Sequence, residues 1–155
     1  MGVWFSAAET QAADGRRLSA IHEGLDLTPE IHVIQARGLG DTLLLGDQAE
    51  PVGFAVCHCG PGTEAGSGNC YVKSAATLPG PEAERHFGHL LCACESFAAS
   101  QGLSRLVAGV NTAREEAYEQ MLRHGFRAEV LGVAMHKPND AGFSRPGVYI
   151  IDDWR

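Results

Sequence analysis

The chain has 155 residues, which is enough for one domain with a single hydrophobic core. Its formal charge of -7 disfavours nucleic acid and anionic membranes as partners and favours cationic molecules such as amines. The number of cysteines, five, is odd, and no secretory signal is recognisable, so we expect free thiols and a cytoplasmic protein. No apolar run is long enough to cross a bilayer.

Helix and strand signals follow one another in the first half of the chain. Residues 7 to 23 predict a helix interrupted at Asp14-Gly15, and Thr28-Pro29 caps a second, short helix that ends near Arg37. The glycine-rich run 60 to 68 predicts a loop, because four glycines and a proline disfavour strand pairing. Three strands are predicted around these features, over residues 42 to 45, 52 to 59 and 70 to 77.

The second half contains the strongest helix signal. Between Glu82 and Gln101, apolar residues recur at steps of three and four and form one stripe. A buried strand then ends at Val110-Asn111, and Thr112 with Glu115 predicts a capping box at the start of another helix, which Gly125 ends. Two final strands are predicted over residues 126 to 135 and 148 to 151.

This order of elements carries a resemblance to a known family. A strand ending in Asn111, a short helix and then Gly125-Phe126 before another strand resembles the C-terminal half of the GNAT superfamily of N-acetyltransferases. The resemblance implies one α/β (α+β) domain over residues 1 to 155, with a central mixed, mostly antiparallel sheet of about six strands and about four helices. The family usually opens with a strand, for which only residues 3 to 5 are available. We therefore expect either a shortened member of the family or one half of a two-domain protein.

The resemblance implies acetyl-CoA as a co-substrate. In the family the pantetheine arm pairs with the backbone of the fourth strand, which here implicates Ala75, Ala76 and Thr77. The pyrophosphate lies on backbone N–H groups at the start of the next helix, usually after an Arg-x-x-Gly-x-Gly sequence. In the register that the long helix sets, residues 82 to 87 fall on this sequence, and both glycines are absent.

Other residues are candidates for the same cofactor. A register shifted by three residues recovers Arg85 and Gly88, but it rotates the apolar stripe of the helix. Arg85, His86 and His89 are candidate cations for a phosphate, and the alternative is an ordinary Glu-rich helix N-terminus. Asn111 stands where the family often places an Asn that contacts the pantetheine arm. Alternatively, Asn111 supports the turn before the helix.

The resemblance also implies the catalytic groups. Family chemistry is direct attack of an amine on the thioester, with a general acid for the departing thiolate. That acid is often a Tyr four residues before the Gly of Gly-Phe, where this chain has Met121. Tyr118, on nearly the same helical face, is the candidate acid, or else an ordinary packed aromatic. Glu64 and His58 are candidate bases, or else a solvated carboxylate and a core histidine.

The cysteines invite two further interpretations. Cys57 and Cys59 flank His58 in the predicted strand 52 to 59. Together with Cys70 they suggest a metal site, and Cys57 with His58 suggests a hydrolase. Neighbouring residues on a strand point to opposite faces, so His58 cannot join either cysteine beside it. Small buried hydrophobic residues are the expected role of these thiols, and no metal is expected.

Two functions follow from the resemblance. The first is an acetyl-CoA-dependent N-acetyltransferase that acts on an amine of a small molecule or a peptide. The second is a catalytically degenerate GNAT-fold domain with a binding, regulatory or dimerisation role, which the altered glycine loop and Met121 favour. Because dimers are common in the family, a homodimer is also expected.

Overall fold

A computed structural model describes residues 2–5, 28–47, 50–133, 135, 137 and 145–152. The helix predicted over residues 7 to 23 lies outside these residues. In chain order the helices are α1 (Thr28–Arg37), α2 (Ala83–Ser100) and α3 (Glu115–Arg123). The strands are β1 (Gly2–Phe5), β2 (Gly40–Gly46), β3 (Pro51–Gly60), β4 (Gly66–Thr77), β5 (Arg105–Ala108) and β6 (Ile150–Asp152). None of the three described helices is long and apolar enough to cross a membrane.

The six strands form one sheet in which β1, β2, β3 and β4 are antiparallel neighbours. β5 pairs with β4 in parallel, because the crossover through α2 returns the chain to the same end of the sheet. β6 pairs with β4 in the antiparallel direction, further along the strand. The predicted α/β fold with a mixed, mostly antiparallel sheet is confirmed, with three helices among the described residues in place of about four.

Helices cover both faces of the sheet, and each face has its own apolar cluster. Ile31 and Ile34 of α1 are fully buried against Phe54 and Val56 of β3. The predicted stripe of α2 packs on the opposite face, together with α3. Consecutive residues of β3 alternate between the two clusters, as the pleat of a strand requires. Each fully buried Ile side chain contributes about 1.5–3 kcal/mol.

Several predicted boundaries are wrong. β5 ends at Ala108 and not at Val110-Asn111, and the final strand begins at Ile150 and not at residue 148. β4 begins at Gly66, inside the predicted loop, because Gly66 takes a φ of +66° and pairs with Gly60. The capping box at Thr112 is also absent, since α3 begins at Glu115 and its N-cap residue makes no side-chain bond. Instead, Asn111 Oδ1 accepts a 2.9 Å hydrogen bond from the Ala113 N–H, so an Asn-based turn leads into the helix.

The strand predicted over residues 126 to 135 is wrong as well. Residues 127 to 133 are exposed and belong to no strand. Val130, Leu131 and Val133 are each about four-fifths exposed, because no described strand lies beside them to complete a ladder. The sixth strand is instead β1, which pairs with β2 from Gly2 to Phe5, so the strand that opens the family fold is present.

Candidate active site

The candidate site lies where β4 changes neighbours. Its parallel pairing with β5 ends at Val72, opposite Ala108, and its pairing with β6 begins at Ser74. On the other edge, Val56 pairs with Ser74 and the next residue of β3 pairs with Val72, so Lys73 is an extra residue. Such a bulge bends a strand and re-aims its backbone groups. β4 is therefore interrupted at Lys73, at the point where β4 and β5 separate.

The residues predicted to pair with pantetheine lie just beyond this bulge. Ala75 pairs with Ile151, and Ala76 pairs with Ile150. The Thr77 N–H donates to the carbonyl of Tyr149 over 3.2 Å. The segment that ends in β6 thus pairs with the edge of β4 to which an extended ligand would bind. In this conformation the pantetheine arm of acetyl-CoA does not fit at these residues.

Two polar contacts fix this C-terminal segment to the start of α3. Arg114 Nη2 donates to Asp152 Oδ2 over 2.7 Å, and both side chains are nearly buried, with 13% and 14% exposed. The Gly147 N–H donates to Glu116 Oε2 over 2.7 Å. Charge-assisted bonds of this kind are short and strong. The segment is therefore held at both of its described ends.

Tyr149 fixes the middle of the same segment. Its ring packs on Phe87 of α2, with 5.4 Å between the ring centroids, and its side chain is 5% exposed. Burial raises the pKa of Tyr149, and the nearby carboxylates of Glu116 and Glu84 raise it further. Tyr149 is thus an uncharged core residue that joins the C-terminal segment to the N-terminal part of α2.

Of the three candidate phosphate-binding cations at this end of α2, one is ion-paired, one is uncharged and one is exposed. Arg85 Nε donates to Glu82 Oε2 over 2.7 Å, so its charge is paired in an exposed position. His86 is 8% exposed, and its Nδ1 has no hydrogen-bond partner among the described residues. Burial and the Arg85 charge lower the pKa of His86, which is therefore neutral at pH 7. His89 is exposed on the next turn.

Gly88 faces α3 in the interior of the helix. A Cβ there would lie 3.0 Å from Gln120 Nε2 and 3.4 Å from the His124 ring. Gln120 Nε2 in turn donates to the Glu84 carbonyl over 2.8 Å. The close approach of two helices accounts for this glycine.

The predicted catalytic residues lie on different elements. Glu64 accepts hydrogen bonds of 2.8 and 2.9 Å from Lys73 Nζ, so the structure brings it to the bulge of β4. Tyr118 is half-buried on α3, and Met121 is buried in the core on the same helix. Asn111 lies three residues beyond the end of β5 and not at the strand end that was expected, and its side-chain oxygen is engaged in the turn before α3.

A polar pair between a buried histidine and a partly exposed glutamate joins α1 to β3, and the sequence alone does not predict this pairing. His58 is 7% exposed, and its Nε2 lies 3.0 Å from Glu30 Oε1. The Tyr71 ring meets the His58 ring edge-on at 6.3 Å, because the two residues face each other across β3 and β4. The available signal was weak: Glu30 lies in the first turn of α1, and His58 shares a strand face with Val56.

Four cysteines form a separate cluster on the α2 face of the sheet, namely Cys57, Cys59, Cys70 and Cys94, whereas Cys92 is exposed. Cys57 Sγ lies 4.0 Å from Cys94 Sγ. Hydrogen bonds to Cys70 and Cys94, together with burial, raise the pKa of Cys57. Burial raises the pKa of Cys59 to about 12. Thiols that resist ionisation are poor nucleophiles, and Cys57 points away from His58, so a Cys-His hydrolase site is not formed.

Comparison with known proteins places the fold. No protein-family model matches the chain, and no curated protein matches it. A protein of Thermus thermophilus is 19% identical over 91% of this chain and 100% of its own, with a TM-score of 0.64. An aminoglycoside 6'-N-acetyltransferase of Acinetobacter haemolyticus is 14% identical over 90% and 100%, with a TM-score of 0.65. A ribosomal-protein-alanine N-acetyltransferase of Brucella melitensis is 15% identical over 88% and 99%, with a TM-score of 0.63. At sequence identities this low, the similarity establishes the fold and nothing more. The chain has the fold of the GNAT N-acetyltransferases.

Proposed function

We propose that the protein is an N-acetyltransferase that takes acetyl groups from acetyl-CoA and transfers them to an amine of a small molecule or a peptide. The observation that best supports this proposal is the contact between the buried His58 and the partly exposed Glu30, because His58 pairs with Tyr71, two residues before the bulge at Lys73. Solved structures of the same fold include enzymes for aminoglycosides and for a ribosomal-protein alanine. The net charge of -7 attracts cationic amines. Five free cysteines are consistent with a cytoplasmic location, which we also propose.

The proposed role of His58 is to accept a proton from the acceptor amine. An amine is mostly protonated at neutral pH and becomes a nucleophile only when it loses that proton. The Glu30 carboxylate, at 3.0 Å from Nε2, orients the imidazole and leaves Nδ1 as the nitrogen that would accept the proton. Glu64, at the exposed end of the bulge, is the second candidate base, and Tyr118 remains the proposed proton donor.

A thermal-shift titration with acetyl-CoA tests the proposal first. A ligand at a hundredfold its dissociation constant stabilises the fold by about 2.7 kcal/mol, which is several degrees in Tm for a chain of this size. Protein that shows a shift is then incubated with acetyl-CoA and a panel of small amines and peptide N-termini, and released thiol is measured. A shift without thiol release from any amine would argue against catalysis.

The role of His58 is tested by substitution once an acceptor amine is known. We expect His58→Gln to lower kcat by about 10²–10⁴, the usual contribution of a general base. His32→Gln is the matched control, because His32 lies exposed on the same helix as Glu30. Equal rates for the two variants would remove His58 from the mechanism.

A second function is favoured by a specific observation. Because β6 takes the edge of β4 at residues 74 to 76, the chain also fits a GNAT-fold domain that has lost catalysis and binds a partner. The exposed apolar residues Val130, Leu131, Val133 and Met135 support a homodimer in that case. No thermal shift at millimolar acetyl-CoA, together with a dimer by light scattering, would favour this second function.

A further inference from the structure

Residues 145–152, here called the closing segment, occupy an opening that the sheet itself creates. β5 pairs with only four residues of β4, from Asn69 to Val72, and the two strands then separate. Within the described residues, only the closing segment covers the β4 edge beyond that point. Its strand is three residues long, so backbone pairing alone holds it weakly.

The closing segment uses the contacts that an extended ligand would use. It supplies a carbonyl to the Thr77 N–H and main-chain pairing to Ala75 and Ala76. Addition of an extended chain to a sheet edge is a general mode of ligand binding, with affinity from main-chain hydrogen bonds. Gly147 also lies against the loop before α2, where a Cβ on it would be 3.8 Å from the Gly80 backbone. One segment therefore covers both the β4 edge and the entrance to α2.

The contacts that hold the segment are concentrated at α3. The Arg114–Asp152 ion pair closes one end, and the Glu116 carboxylate binds the Gly147 N–H at the other. Arg114 is the N-cap residue of α3 and Glu116 lies in its first turn, so neither belongs to the sheet. Ile151 is fully buried and adds apolar attachment. Loss of the ion pair alone would weaken the closed arrangement without touching the pairing of β1 to β5.

We infer that the closing segment is an autoinhibitory strand, latched by Arg114 and Asp152, that must leave β4 before acetyl-CoA can bind there. This inference rests on the proposed function, because it takes acetyl-CoA as the competing ligand. The open and closed forms are then in equilibrium, and only the open form binds. The apparent affinity for CoA is reduced by the fraction of molecules that are open.

The test breaks the latch and measures two quantities on the full chain. Asp152→Asn keeps the shape of the side chain and removes its charge, and Arg114→Gln removes the other partner. Glu129→Gln is the matched control, because Glu129 forms an exposed ion pair with Arg105 far from the closing segment. Amide hydrogen exchange at Thr77 reports opening without any ligand, and calorimetry reports the affinity for CoA.

We expect both latch variants to speed Thr77 exchange by about tenfold or more, because breaking a nearly buried ion pair is strongly destabilising. CoA affinity should rise by the same factor, while Glu129→Gln changes neither quantity. Faster Thr77 exchange without CoA binding would support the mobile strand and reject acetyl-CoA as the co-substrate. Unchanged exchange at Thr77, or faster exchange across all of β2 to β4, would overturn the inference, since the segment would then be a fixed part of the fold.

Discussion

Cys59 is expected to react with thiol reagents much more slowly than an ordinary thiol, although it is partly exposed. Burial raises the pKa of Cys59 from 9.0 to about 12, so at pH 8 its thiolate fraction falls about a thousandfold. A thiolate of higher pKa is also more nucleophilic, with a Brønsted slope of about 0.4–0.5. This effect raises the rate constant of the Cys59 thiolate by a factor of about 16–32. The net expectation is a rate about 30–60 times lower than that of a free thiol of ordinary pKa.

An aromatic disulfide reagent that absorbs when cleaved measures this rate, and mass spectrometry assigns the modified residue. Cys92, the exposed cysteine, should account for the fast phase, and Cys92→Ser should remove it. The buried Cys57, Cys70 and Cys94 should react only when the fold opens, and all five should react in denaturant. Modification of Cys59 at the rate of a free thiol would refute the argument, as would early modification of Cys57, which would reopen the hydrolase interpretation.

Two predictions concern stability. Burial lowers the pKa of His86 below 6.5, so the unfolded chain binds a proton at this residue more readily than the folded chain does. The contribution of His86 to the free energy of unfolding is therefore complete above about pH 6.5 and is lost as the pH falls further. We expect His86→Gln to reduce the drop in Tm between pH 7.5 and pH 5. His32→Gln is the control, and an equal drop in all three proteins would contradict the assignment. Gly40→Ala should destabilise by about 3 kcal/mol or more, because a Cβ on Gly40 would lie 1.8 Å from the Cys57 carbonyl oxygen at a φ of +154°. Gly2→Ala is the control and should leave the denaturant midpoint unchanged, because nothing lies within 4 Å of the new Cβ. A small change in the denaturant midpoint for Gly40→Ala would contradict the close approach of β2 to β3.

Local patterns predicted most of the fold because they repeat within single elements. The stripe of α2 follows from steps of three and four residues, and every residue of the predicted stripe is buried in the structure. The strands β2 and β3 each contain the predicted range, since the apolar runs and the turn between them are visible in the sequence. Residues 127 to 133 have a strand-like composition, but a strand also needs a neighbour, which composition does not supply.

The candidate site was less predictable because it depends on contacts between distant residues. Glu30 and His58 are 28 positions apart, and only the packing of α1 on β3 brings them together. β6 pairs with β4 across more than seventy residues, and three residues are too few for a pattern to specify a partner. The sequence makes Gly88 a candidate for a phosphate loop only in the shifted register, whereas its place opposite Gln120 becomes visible only when α2 and α3 are packed.

The exposed residues 127 to 133 connect α3 to the part of the chain that carries the closing segment. An exposed stretch without regular structure is where a protease cuts first, and Arg127 offers trypsin a site there. After such a cut, β6 would no longer be tethered, and its effective concentration near β4 would fall from about millimolar to the concentration of a free peptide. Limited proteolysis would then convert an equilibrium between closed and open forms into permanent opening. A nicked preparation of this protein would differ from the intact chain in the accessibility of β4, even though no residue of the site had been changed.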